Sequence, residues 1–140
     1  MPLTDIGTGA TITFGTSSWS ATVMAINGND ISRVSIQTSH LSTASYHTKI
    51  PGDLVDPGNL ELELNFDADN VTTNQPPYNQ AAETVTVTFP IPATSTNVAG
   101  AKMAASGFMT NFSYGVPLED KMTANATIEL SGVITWTDAA

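Results

Sequence analysis

Residues 60–67 read Leu60-Glu61-Leu62-Glu63-Leu64-Asn65-Phe66-Asp67. Apolar and polar side chains alternate through the whole stretch. Successive side chains on a strand point to opposite faces, so a period of two puts the three leucines and Phe66 on one face. The other face then carries Glu61, Glu63, Asn65 and Asp67. A helix would scatter the same leucines around its circumference. The stretch therefore predicts a strand with one buried and one wet face, as antiparallel sheets allow.

The same period recurs on either side. Ala10 to Phe14 alternates, and Ser20 to Ile26 places Ala21, Val23 and Ala25 on one face. Asn27-Gly28-Asn29-Asp30 follows, and Asn-Gly is a strong hairpin signal, so Ile31 to Thr38 is expected to return as its partner. Thr84 to Phe89 alternates, with Val85, Val87 and Phe89 inward. Met103 to Tyr114 reads as a strand on which Phe108, Phe112 and Tyr114 share a parity. Thr123 to Trp136 reads as the last strand, with Ala124, Ala126, Ile128, Leu130, Ile134 and Trp136 on one face. Pro76-Pro77 opens a possible short helix from Pro77 to Glu83, since proline is tolerated in a first turn. The 21 Thr among 140 residues agree with strands, because β-branched side chains suit a pleated surface. The expected class is all-β: a two-sheet antiparallel sandwich or barrel with one short flanking helix, and a single domain over residues 1–140.

Composition excludes several functions. The chain has no Cys, so it offers no disulfide and no thiolate ligand or nucleophile. No run of about 18 apolar residues occurs, so no membrane helix is expected. The start MPLTDIGTGATITF is not basic and then apolar, as a signal peptide would be. Thirteen acidic residues face four basic ones, for a net charge of −9. Arg33, Lys49, Lys102 and Lys121 are scattered singly, which leaves no basic footprint for nucleic acid or an anionic membrane.

Candidate chemistry is sparse. Glu61 and Glu63 lie about 6.5–7 Å apart if they sit on a strand. That approaches the carboxylate spacing of inverting glycosidases, but a solvated polar face explains the pair more simply. Asp67-Ala68-Asp69-Asn70 opens like a calcium loop, yet Val71 and Thr72 stand where the pattern needs Asp or Asn and Gly. His40 and His47 lack a third ligand at a recognisable spacing. Three glycosylation-type sequons, at Asn70, Asn111 and Asn125, are about as many as chance supplies. No phosphate loop, dinucleotide fingerprint or nucleophile elbow is present. No cofactor and no catalytic residue are expected. Residues 39–58, SHLSTASYHTKIPGDLVDPG, form a long, polar, turn-rich stretch, and a loop of that length in a small domain is often functional.

An ordered set of motifs goes further. Ser39-His40-Leu41, Ile50-Pro51-Gly52 and Asp56-Pro57-Gly58 precede the acidic strand. Thr84-Val85-Thr86-Val87-Thr88-Phe89-Pro90 follows, then Ser106-Gly107-Phe108, Pro117-Leu118-Glu119-Asp120, and a last strand holding Ser131-Gly132 and ending Thr135-Trp136. In this order, over residues 31–137, the chain resembles the tail tube (major tail) proteins of long-tailed bacteriophages. Ser39 stands where Thr is expected and Asn59 where an acidic residue is expected.

The resemblance implies hexameric rings stacked into a hollow tail tube through which phage DNA is delivered. It implies no catalysis and no membrane. Its partners would be further copies of the chain, a tape measure protein, a tail terminator, and tail-tip or baseplate proteins. Its place would be the virion tail, built in the host cytoplasm. Glu61, Glu63 and Asp67 are then candidates to face the lumen, where carboxylates repel phosphates. Six copies of −9 would give a ring −54. His40, Leu41, Tyr46, His47, Lys49 and Ile50, in the loop at about 39–58, are candidate contacts between rings. Alternatives are the tube protein of a contractile tail or gene transfer agent, and a β-sandwich binding module such as a capsid decoration or carbohydrate-binding domain. A hydrolase using Glu61 and Glu63 is a third class.

Overall fold

A computed structural model describes residues 10–19, 22–41, 45–66, 75–92 and 95–140. The described residues form eight strands: β1 Thr11–Phe14, β2 Thr22–Asn27, β3 Ser32–Gln37, β4 Lys49–Asp56, β5 Asn59–Asn65, β6 Glu83–Thr88, β7 Lys102–Gly115 and β8 Thr123–Thr137. The described residues include no helix. Six strands form one antiparallel sheet in the order β1-β6-β7-β8-β5-β2, and β3 pairs only with β4. The large sheet curls, so that the inward faces of its strands meet in one core. In place of two packed sheets there is one curled sheet with a two-stranded arm.

The alternating strand anchors this arrangement. Leu60, Leu62 and Leu64 of β5 are all but fully buried. They meet Val85 and Val87 of β6, Met103, Ala105 and Met109 of β7, and Ala124, Ala126, Ile128 and Leu130 of β8 in one cluster. Each such leucine stabilises the fold by about 1.5–3 kcal/mol through burial alone.

Beyond β1 the chain folds back into the core. Gly15 N donates to the Thr84 carbonyl at 2.8 Å, which carries the pairing past Phe14. Glu83 is the one buried charged side chain among the described residues. Its Oε2 accepts from Ser17 N at 3.1 Å, and its Oε1 accepts from Ser17 Oγ at 2.7 Å. Ser18 then takes a positive φ of 53°. The result drops Trp19 into the core, edge-on to Phe14 at 5.4 Å and to Phe112 at 6.5 Å. Trp19 thus joins the core cluster from the connection between β1 and β2, which do not pair with each other.

Several expectations change. Phe89 and Trp136, expected inward, are exposed, and a register shift between Val23 and Ala25 takes these two off a common face. Asn27-Gly28 does not close a hairpin: β2 pairs with β5 and β3 with β4. The tight hairpin turn needs positive φ at its central residues, and the described glycines with positive φ are Gly58 and Gly132. The second half of the expected 39–58 loop is strand β4. Pro77 to Glu83 is not helical. Tyr78 N reaches the Pro76 carbonyl and Gln80 N the Pro77 carbonyl, which makes short turns only. Adjacent prolines supply no N–H, and each disfavours the helical region in the residue before it. Glu83 itself is held by Ser17 and by pairing with Gly107.

Finally, Phe108 and Phe112 do not share a face. The register shifts between Met109 and Asn111, so inward parity passes from Met103, Ala105 and Met109 to Phe112. A bulge reverses which side chains point in. Phe108 is left at 38% exposure.

Candidate assembly surfaces

Among the described residues three surfaces have no other element packed on them: the outer face of the sheet, the arm, and the two sheet edges.

The outer face is acidic. Glu61 and Glu63 are exposed on β5, opposite the direction of the buried leucines. Register places Glu61 beside Thr127 and Glu63 beside Asn125 on β8. Asn111 and Ser113 of β7 continue the row, and exposed Glu129 lies one step along. None of the four basic residues lies in this row: Arg33 and Lys49 are on the arm, Lys102 is exposed at the start of β7 opposite Thr137, and Lys121 is in the β7–β8 turn. The row repels polyanions and has no cation within it to hold them. Asp67, like the calcium-like run 67–70, lies outside the described residues. Among the described residues no group of three or more His, Asp or Glu is placed to hold a metal ion.

The arm is β3, β4 and the tip between them. All of β3 is exposed, and all of β4 except Gly52. The two strands make extensive contact only with each other. Ile36 lies opposite Ile50, and Arg33 Nε donates to the Gly52 carbonyl at 2.6 Å across the register shift. At the tip, Thr38 N donates to the Thr48 carbonyl and Ser39 Oγ accepts from Thr48 N, both at 2.8 Å. His47 Nδ1 lies 3.2 Å from Gln37 Nε2 and 3.1 Å from Ser39 Oγ. His40, Leu41, Tyr46 and His47 are thus tip residues, while Lys49 and Ile50 belong to β4. The sequence reading missed Val34 and Leu54, which are also exposed on the arm. Tyr46 and Leu54 are more than four-fifths exposed. Two strands alone do not hide such groups from water.

The edges are β1 and β2. Among the described residues β1 pairs only with β6, and β2 only with β5, so each has one row of backbone groups that no described strand covers. Uncovered edges are templates for another chain. Large side chains near the ends of the sheet add to this. Phe89 and Trp136 stack on each other at 6.4 Å, with Trp136 60% exposed although it lies in register with buried Met103.

No protein-family model matches the chain, and no curated protein does. Solved structures do match. A chain in the extracellular contractile injection system structure of the PVC sheath/tube terminator, extended state, superposes with a TM-score of 0.71 at 14% identity, covering 97% of this chain and 98% of that one. A chain in the 6-fold symmetrised baseplate of the anti-feeding prophage gives 0.73 at 10% identity, covering 99% and 98%. Hcp1 from Flavobacterium johnsoniae gives 0.52 at 15% identity, covering 91% and 93%. From end to end, the fold of this chain is one found in chains of contractile injection particles and in Hcp1.

Proposed function

We propose that the protein is a structural tube subunit of a phage-tail-like particle. It polymerises as hexameric rings stacked into a hollow tube and carries no catalytic role. The observation behind this reading is the fold itself, matched over nearly the full length of chains from sheath-tube, baseplate and cap assemblies. The edges of β1 and β2 that no described strand covers give lateral neighbours something to pair with. The exposed arm, carrying His40, Leu41, Tyr46, His47, Lys49 and Ile50, is the contact to the next ring. Glu61 and Glu63 face the lumen, where negative charge lets phage DNA pass without sticking. A tape measure protein, a terminator and tail-tip or baseplate proteins complete the particle.

A second reading is the tube of a contractile machine that is not a virion. It is favoured by the description of two of the solved relatives as parts of a contractile injection system. Both readings share the assembly test. Purified protein is followed by negative-stain electron microscopy and light-scattering mass over rising concentration. Six-fold rings or hollow tubes are expected. Monomers alone up to millimolar concentration would refute self-assembly.

A further inference from the structure

We propose that Asn29, Asp30, Pro57 and Gly58 form a clasp that fixes the direction in which the arm leaves the curled sheet, and that a second copy of the chain is reached only with the clasp closed. The second half rests on the tube reading above. The first half does not.

β2–β3 and β4–β5 run as one long ribbon, with a register shift inside each half and an unpaired gap between the halves. Pairing of β2 with β5 ends at Asn27 and Glu61, and pairing of β3 with β4 begins at Ser32 and Asp56. Ladder hydrogen bonds are absent between the two, so the arm would be free to swing there. Three contacts occupy the gap. Asn29 Nδ2 donates to the Pro57 carbonyl at 3.2 Å. Gly58 N donates to Asp56 Oδ1 at 2.9 Å, and the Gly58 carbonyl accepts from Leu130 N at 3.1 Å. Gly58 is thus tied on one side to the last residue of the arm and on the other to the body of the sheet.

Its conformation admits only glycine. Gly58 has a φ of +78°, and a Cβ there would stand 2.7 Å from the Asp30 carbonyl oxygen and 2.8 Å from Asp30 N. Those are backbone atoms of the opposing connection and cannot rotate away. Any side chain forces the two connections apart. Gly28, four residues before β3, has no atom within 4 Å of a built Cβ. It is the natural control, on the opposing connection of the same gap.

The chain has no Cys, so two labels can be placed at will. Spin labels at Tyr46→Cys on the tip and Asn125→Cys on the sheet report the arm's direction in dilute monomer by pulsed electron resonance. One narrow distance distribution is expected for the parent and for Gly28→Ala. A shifted distribution is expected for Gly58→Ala, and at least a two-fold broader one for Asn29→Ala. Should Gly58→Ala fail to fold, Asn29→Ala carries the test. Unchanged distributions in the folded variants would overturn the clasp. The unlabelled variants are then compared for the concentration at which tubes appear. A rise of at least ten-fold is expected for Gly58→Ala and Asn29→Ala, and none for Gly28→Ala. A swung arm with an unchanged threshold would overturn the second half. A parent that never assembles would refute the tube reading while the distances still decide the clasp.

Discussion

Replacing Glu83 with Ala should cost the fold about 2–4 kcal/mol. The side chain is buried, and each of its oxygens accepts one hydrogen bond from Ser17. A hydrogen bond to a charged group contributes about 1.5–3 kcal/mol. Two would give up to about 6, but the mutation also relieves the desolvation of the carboxylate. Ser17 is only partly buried, so water recovers part of what its N–H and O–H lose. With an unfolding entropy of about 2.1 cal/mol/K per residue, 140 residues lose about 7–14 °C of melting temperature. Glu83→Gln keeps the size and one acceptor and should lose about half as much. The assay is thermal unfolding of dilute monomer in a Trp136→Phe background, where Trp19 emission alone is read. Trp19 is 5% exposed, so its emission in Glu83→Ala should shift to the red before the global transition. A melting temperature within 1 °C of the parent, with unshifted emission, would refute the view that Ser17 is held by this carboxylate and Trp19 by Ser17.

Leu62→Ala should destabilise by about 2–5 kcal/mol, since Leu62 is 2% exposed in the middle of the core; denaturant titration of the monomer reads it. Tyr46→Ala with Leu54→Ser should leave stability within about 0.5 kcal/mol, because both side chains are exposed, yet abolish tubes in micrographs. Tubes of normal length would remove the arm from the ring contact. Glu61→Lys with Glu63→Lys should leave the monomer folded and make its assemblies retain short duplex DNA in a salt-dependent way. Equal retention by parent and variant would place this face away from the lumen.

Local patterning exposed most of the sheet. β5 and β6 follow from alternation, because each keeps one face in the core, and β8 does so from Ala124 to Leu130; beyond them Phe89 and Trp136, which alternation places inward, are exposed. Asn27-Gly28 misled because hairpin chemistry is a local preference, whereas pairing was decided by which strands bury Leu60, Leu62 and Leu64. β4 was hidden because Pro51 and Gly52 look like a turn. In a two-stranded ribbon, β4 has a free side on which a missing N–H costs little. Phe108 was misplaced because a bulge leaves no mark in parity counting. Of the proposed surfaces, the acidic face was legible from Glu61 and Glu63, which the structure leaves exposed. The clasp was not, since Gly58 and Asp30 are separated by the whole arm and only the folded ribbon brings them together.

The sheet order also sets a timetable for folding. β7 and β8 are joined by a short turn and pair along most of their length, so this hairpin is the most local large unit of the chain. β1 is the first of the described strands and pairs with β6, Phe14 against Val85, across about half of the chain. Contacts between distant residues close late, because loop entropy must be overcome first. During synthesis β1 waits unpaired while β2 to β6 emerge. Docking of β1, with Trp19 behind it, is then the last step, and the speed of that step decides how long β6 stands open to a wrong partner.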